Sequence, residues 1–434
     1  MTALQQMELW RQLREWQFTL YLTAVALSLW RAADQPSLDF GVGSTTVSVV
    51  LTDVGLVLLA AACVLSLARG RRIPRVARAA AGSGAAFALL LLVSGAATGA
   101  VGFVAAGKLV ELGALALGAL VFVRGRAKLE ALVDLLLLVV AAADAVAIFD
   151  FVRDGGGRQS SFLGEHDFAA LATVPLVYGV VLLFERRASR RRAIMAIAAG
   201  GLGVIFGAAL ASLLGFYLGI AALLAAVAAA RRLDWRAVTG TLAVVVVVTG
   251  GTLGLRVGAG DLGFLQAWFG KPAERPGQYA GSWSQRLIFV YVGGRVFLDH
   301  PIFGAGWHGN LPASEYARYL PDARRRFSDQ PARYFPPRDG ELIPQQAYDQ
   351  VLYELGLVGG VILAAVLLSL VAASVRAAGS ATDRTNYLPA VWTAAALGAI
   401  AGEGLFGGTP LGAVFWLTVG LVPAVAAIAQ NEAV

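Results

Sequence analysis

The sequence predicts an all-α polytopic membrane protein, with about twelve transmembrane helices and one large extracytoplasmic loop that carries short helices. Three observations predict it. Mean hydropathy is +0.69 and only 15% of residues are charged, against about a quarter in soluble domains. Runs such as Ala85–Val93 and Leu242–Val248 offer no polar residue on any helical face, which a solvated helix does not tolerate. These runs are continuous rather than alternating, so the spans read as helices with internally satisfied backbone and not as strands of a barrel.

With about 20 apolar residues per span, helices are expected near 16–33, 46–68, 83–103, 107–124, 129–150, 167–184, 193–210, 212–229, 237–256, 347–375, 386–404 and 410–429. Arginine and lysine gather after the second (Arg69, Arg71, Arg72, Arg75, Arg78), fourth (Arg124, Arg126, Lys128), sixth (Arg186, Arg187, Arg190, Arg191, Arg192) and eighth spans (Arg231, Arg232, Arg236). Every second loop is therefore basic, and the positive-inside rule puts both termini in the cytoplasm. Three regions follow: an N-terminal bundle over 1–256, a polar loop over 257–346 facing outside, and a C-terminal bundle over 347–434.

Composition also excludes. A single Cys63 forbids an intrachain disulfide framework, and three scattered histidines, His166, His300 and His308, do not make a zinc constellation. Neither a metal nor a cofactor is expected. The net charge of +7 sits in short inter-span clusters, so topology accounts for it better than nucleic-acid binding.

Ionisable residues inside apolar spans are costly and often functional. Asp53, Lys108, Glu111 and Glu403 fall near outward ends of spans, and Asp134 and Asp144 lie in the fifth. The bland alternative is pairing between or within helices, as for Lys108 and Glu111 one turn apart. His166 and Asp167 close the polar loop before the sixth span.

The polar island from Arg256 to about Gln346 concentrates the chemistry. After a short amphipathic stretch, Leu262–Gly270, suited to the membrane interface, Arg286 leads an apolar-periodic helix. It is stopped by Asp299-His300-Pro301-Ile302-Phe303-Gly304-Ala305-Gly306-Trp307. A basic middle holds Arg324, Arg325, Arg326 and Arg338. The chain re-enters the membrane through Gln350-Val-Leu-Tyr-Glu354-Leu-Gly356-Leu-Val-Gly359.

Arg286, its helix and the Pro-Ile-Phe-Gly-Ala-Gly turn, together with the Gln350 re-entry motif and the loop's place before the last spans, resemble the O-antigen ligase and polymerase superfamily. That resemblance covers about a quarter of the chain at motif level. It implies transfer of a glycan from a polyprenyl diphosphate carrier to an acceptor hydroxyl, on a glycan or a lipid-linked glycan, at the outer face of a bacterial cytoplasmic membrane. Two positions depart from the family. Gln345-Gln346 stands where His-Asn is usual, and Leu213 stands where a mid-chain Ser-Arg-Gly carries arginine.

Loss of a diphosphate leaving group develops negative charge, which guanidinium binds bidentately and without deprotonation. Arg286 is the first candidate for that role, with Arg295, Arg324, Arg325 and Arg338 as support and Lys108, His166 and Asp167 as further binding candidates. For the arginine run the alternative is a solvated face. For a base near neutral pH, the chain offers His308, His300, His166, Glu354 and Asp349, unranked. Gln345 and Gln346 can orient an acceptor sugar through amide hydrogen bonds, and Trp307 and Tyr348 are among the aromatic faces on which sugars stack. Two other readings stay open. One is a transporter or flippase, which calls for internal repeats and helices broken at mid-bilayer. The other is a non-catalytic relative that binds glycan lipid.

Overall fold

The computed structural model describes residues 3–42, 45–185, 189–229, 233–258, 282–344, 346–380, 387–406 and 411–430. It is mostly helical: α1 (Ala3–Leu29), α2 (Leu51–Ala68), α3 (Arg78–Thr98), α4 (Ala100–Phe122), α5 (Arg126–Arg153), α6 (Glu165–Phe184), α7 (Arg190–Gly207), α8 (Leu210–Ala229) and α9 (Trp235–Gly258). After these come α10 (Ser282–Asp299), α11 (Leu320–Arg326), α12 (Ala347–Ser380), α13 (Tyr387–Phe406) and α14 (Ala413–Ala429). Among the described residues, eight helices are long and apolar enough to cross a bilayer: α2 to α6, α8, α9 and α12. The protein is a multi-pass α-helical membrane protein. Helices also occupy the four other positions expected for spans, but α14, with 17 residues, falls short of that length. The amphipathic stretch 262–270 and Gln345 lie outside the described residues.

Two boundaries differ from the sequence reading. The run expected as a span from residue 46 begins with a strand, β2 (Thr45–Val50), paired antiparallel to β1 (Ser37–Val42), and the helix starts only at Leu51. The Asp53 carboxylate accepts the Val50 backbone N–H at 2.7 Å, which fixes the helix start there. The third and fourth spans meet at Gly99, whose φ of 106° breaks the chain earlier than expected. Lys108 therefore sits in the body of α4 rather than at its end.

Small residues let the helices close. A Cβ on Gly200 would lie 2.4 Å from the Leu176 backbone nitrogen, and one on Gly203 2.6 Å from Ala172 Cβ, so α6 and α7 pack almost backbone to backbone. The 282–342 segment builds its own small core from Ile288, Val292, Val296, Leu311, Tyr316, Leu320 and Leu342. A two-residue β-pair, Leu311–Pro312 with Glu341–Leu342, closes it.

This segment joins the bundle at a break in α12. Gly356 has φ 62° and ψ −159°, which no continuous helix allows. The backbone groups freed there are taken up by the turn after α10. Leu357 and Val358 donate to the Pro301 and Ile302 carbonyls at 2.8 and 3.0 Å, while Ala305 and Gly306 donate to the Tyr353 and Glu354 carbonyls at 2.9 and 3.0 Å. The two backbones nearly touch: a Cβ on Gly304 would sit 2.3 Å from the Glu354 carbonyl carbon, and one on Gly356 would sit 2.5 Å from the Gly304 nitrogen. Both glycines also have positive φ. Gly356→Ala is therefore expected to lose about 2–5 kcal/mol through combined φ strain and overpacking. A melting temperature in detergent equal to wild type would contradict this backbone pairing.

Candidate functional site

The turn that bridges the α12 break continues into Trp307, His308 and Gly309, and a second set of contacts holds these residues. Glu354 is fully buried. Its Oε2 accepts the backbone N–H groups of His308 at 2.6 Å and Gly309 at 2.9 Å. Gln350, one turn earlier on α12, donates Nε2 to Glu354 Oε1 at 3.2 Å and to the Gly309 carbonyl at 2.6 Å. On the other side, Trp307 N–H donates to Ser94 Oγ at 2.9 Å, and Thr98 Oγ1 donates to the Trp307 carbonyl at 2.7 Å. The loop is thus fixed between α3 and α12 by groups from both. A buried carboxylate with this many donors is a clamp for the backbone. Three of its roughly four lone-pair positions are filled, so the carboxylate serves first to hold the backbone.

His308 is what the clamp presents. Its Nδ1 lies 2.8 Å from the Gly306 carbonyl oxygen. A carbonyl only accepts, so Nδ1 carries the proton and the neutral ring keeps its lone pair on Nε2. The ring is half-buried. Of the five base candidates, His308 has the tautomer and the support that a general base needs. His300, by contrast, is exposed at the end of α10.

A second constellation gathers at the turn between α7 and α8, where Ala208 adopts φ 44°. Arg158 Nε donates to the Gly207 carbonyl at 3.3 Å and Arg256 Nε to the Ala208 carbonyl at 2.6 Å. The Gln159 N–H donates to Phe206 O at 2.9 Å and ties down the strand of loop that carries Arg158. Cations at a helix C-terminus are favoured by its dipole, and this suffices to explain two arginines there. Arg286, half-buried at the start of α10, has its pKa pulled below the ordinary arginine value, first by burial and then by the neighbouring Arg158 guanidinium. Arg286 thus adds a third guanidinium near Arg158, and such a gathering of cations suits a polyanion.

Arg158 and Arg256 are absent from the sequence-derived set. Their signals were an arginine closing an otherwise uncharged span and one following three glycines in the loop before α6. Only the tertiary fold brings them together.

Several expected residues take structural roles. Trp307 is 3% exposed and belongs to the main core, so no sugar can stack on it. Lys108 pairs with Asp53 on α2 and lies 3.8 Å from Glu111, so its charge is engaged inside the bundle. Arg295 donates to the Tyr291 hydroxyl at 3.2 Å and approaches Asp322 at 3.8 Å, while Arg325 pairs with Asp322 at 3.1 Å. The Tyr291 hydroxyl, then Arg325, hold the Asp322 pKa below the usual carboxylate range. Arg324 lies 5.8 Å over the Phe335 ring. These arginines brace the 282–342 core.

Arg338 is exposed, and Gln346, His166 and Asp167 are half-buried at the same end of the bundle. Tyr348 donates to the Ala401 carbonyl at 3.1 Å and lines an apolar cleft with Ala170, Ile400, Gly404, Val414 and Phe415.

If the three arginines bind a polyanion, inorganic pyrophosphate should raise the melting temperature of the detergent-solubilised protein in a saturable way. Arg286→Ala and Arg158→Ala should each weaken the apparent affinity at least tenfold. Unchanged affinity in both would contradict the assignment. Compared with models of protein families and with curated proteins, the chain matches none.

Proposed function

We propose that this protein is a glycosyltransferase of the O-antigen ligase or polymerase kind. It moves a glycan from a polyprenyl diphosphate carrier to an acceptor hydroxyl at the outer face of a bacterial cytoplasmic membrane. The observation that carries the reading is the arginine cluster of Arg158, Arg256 and Arg286 at the end of the bundle where His308 is clamped. The twelve-span topology with both termini inside belongs to the same proposal, and the alternating basic loops support it.

In this reading the arginines hold the donor diphosphate. The apolar cleft beside Tyr348 is a place for the first units of its hydrocarbon tail. The acceptor oxygen bonds to the anomeric carbon as the carbon–oxygen bond to the diphosphate breaks. The acceptor proton passes to His308 Nε2, and the carrier diphosphate leaves with the bonding pair. Charge grows on the diphosphate in that step, where preorganised guanidiniums act most strongly. His308 then replaces the histidine expected at position 345, which is glutamine here.

A transporter remains the second reading, because α12 is a broken helix. The position of the break weighs against it. Leu357–Ala377 alone provides roughly 31 Å of helix at 1.5 Å per residue, enough to cross the about 30 Å hydrocarbon core. Gly356 then lies at the membrane surface, whereas transporter sites use breaks near mid-bilayer.

The test is reconstitution with a polyprenyl-diphosphate oligosaccharide and gel analysis of the products. Arg286→Ala is expected to lower transfer by about 10²–10³-fold with folding intact, and wild-type turnover in that variant overturns the assignment. His308→Gln is expected to lower transfer by about 10²-fold. Unchanged turnover in that variant assigns the base elsewhere.

A further inference from the structure

At the end of the bundle opposite the 282–342 segment, α5, α6 and α13 border a shallow open cleft lined by Arg126, Glu130, Tyr178, Glu185 and Trp392 over an apolar floor of Leu129 and Val181. Nothing in the proposed transfer reaction uses it.

Its charges are unevenly matched. Asp134 is satisfied by Arg192 at 2.5 Å, and the Arg192 guanidinium lies 5.7 Å over the Tyr178 ring. That leaves Arg126 to serve two carboxylates. It bonds Glu130 through Nε at 2.8 Å and reaches Glu185 through Nη2 only at 3.8 Å. The Glu185 side chain is 17% exposed. A carboxylate so poorly exposed, with one long-range partner among the described residues, gains from a second cation. The wall beside it is the half-buried Tyr178, whose ring meets the buried Trp392 edge to face with ring centres 5.3 Å apart. Trp392 is locked in place, since its indole N–H donates to the Val174 carbonyl at 3.3 Å.

Arg126, more than half exposed, gives Nε to Glu130 and turns Nη2 toward Glu185, while its Nη1 has no partner among the described residues and can donate to a phosphate. The cleft therefore offers a poorly matched carboxylate and, at its mouth, a guanidinium. Both ends of a zwitterion have a partner there. Because the helices around it end where the bilayer surface must lie, we propose that this cleft binds the headgroup of a phospholipid bearing a primary ammonium. In that arrangement the ammonium sits against Glu185 and Glu130 and the phosphate sits on Arg126.

The site is tested with the full chain in nanodiscs of phosphatidylglycerol, to which phosphatidylethanolamine is added stepwise, reading retained lipid by native mass spectrometry and thermal stability in parallel. Wild type should retain phosphatidylethanolamine in preference to phosphatidylglycerol and should be stabilised saturably. Glu185→Gln should weaken that retention at least tenfold while keeping the same fold by circular dichroism. Soluble phosphoethanolamine separates headgroup from chain: competition at millimolar concentration is expected if the headgroup is what is recognised. Equal retention of both lipids by wild type, unchanged retention by Glu185→Gln, or no competition by phosphoethanolamine each overturns the proposal.

Discussion

The site depends on one backbone arrangement, the pairing of the Pro301–Gly306 turn with the broken turn of α12 around Gly356. A break in a helix leaves N–H and C=O groups without their helical partners, and here four hydrogen bonds from a distant segment satisfy them. The pairing needs two glycines at positive φ in near contact. Glu354 then extends the join by gripping the next two backbone N–H groups, those of His308 and Gly309. The polar segment is in this way part of the helical bundle and not a tethered appendage. Its one clamped histidine inherits the rigidity of α3 and α12.

Much of this was legible in the sequence, though unevenly. The apolar runs located the helices, because a span with no polar face has no other stable home. The motif around Gly304 and the motif around Gly356 were each visible as patterns. What their residues do was less visible. Glu354 reads as a candidate base from its type, but burial and three donors make it a clamp. Trp307 reads as a sugar platform, but packing against the bundle removes its faces from reach. Both cases have the same origin: residue type reports chemical capacity, and tertiary packing decides whether that capacity is already in use.

Other features had no local signal. The valine-rich run before Leu51 fits a helix or a strand by composition, and pairing with residues 37–42 settles it as a strand. Lys108 had a plausible partner one turn away in Glu111, yet its closer partner is Asp53, from a helix far off in sequence. Arg158 and Arg256 belong to segments separated by three helices and meet only because both cap the same helix end. Backbone carbonyls drew them there, and carbonyls leave no mark on a sequence.

We propose that the arginine cluster and His308 serve cleavage of a diphosphate-linked glycan. The most direct measurement is mass balance in sealed vesicles carrying purified protein, a polyprenyl-diphosphate oligosaccharide and a hydroxyl acceptor, with every lipid and glycan product identified by mass spectrometry. Equal amounts of glycosylated acceptor and free polyprenyl diphosphate are expected. Movement of intact donor between leaflets without either product would contradict it.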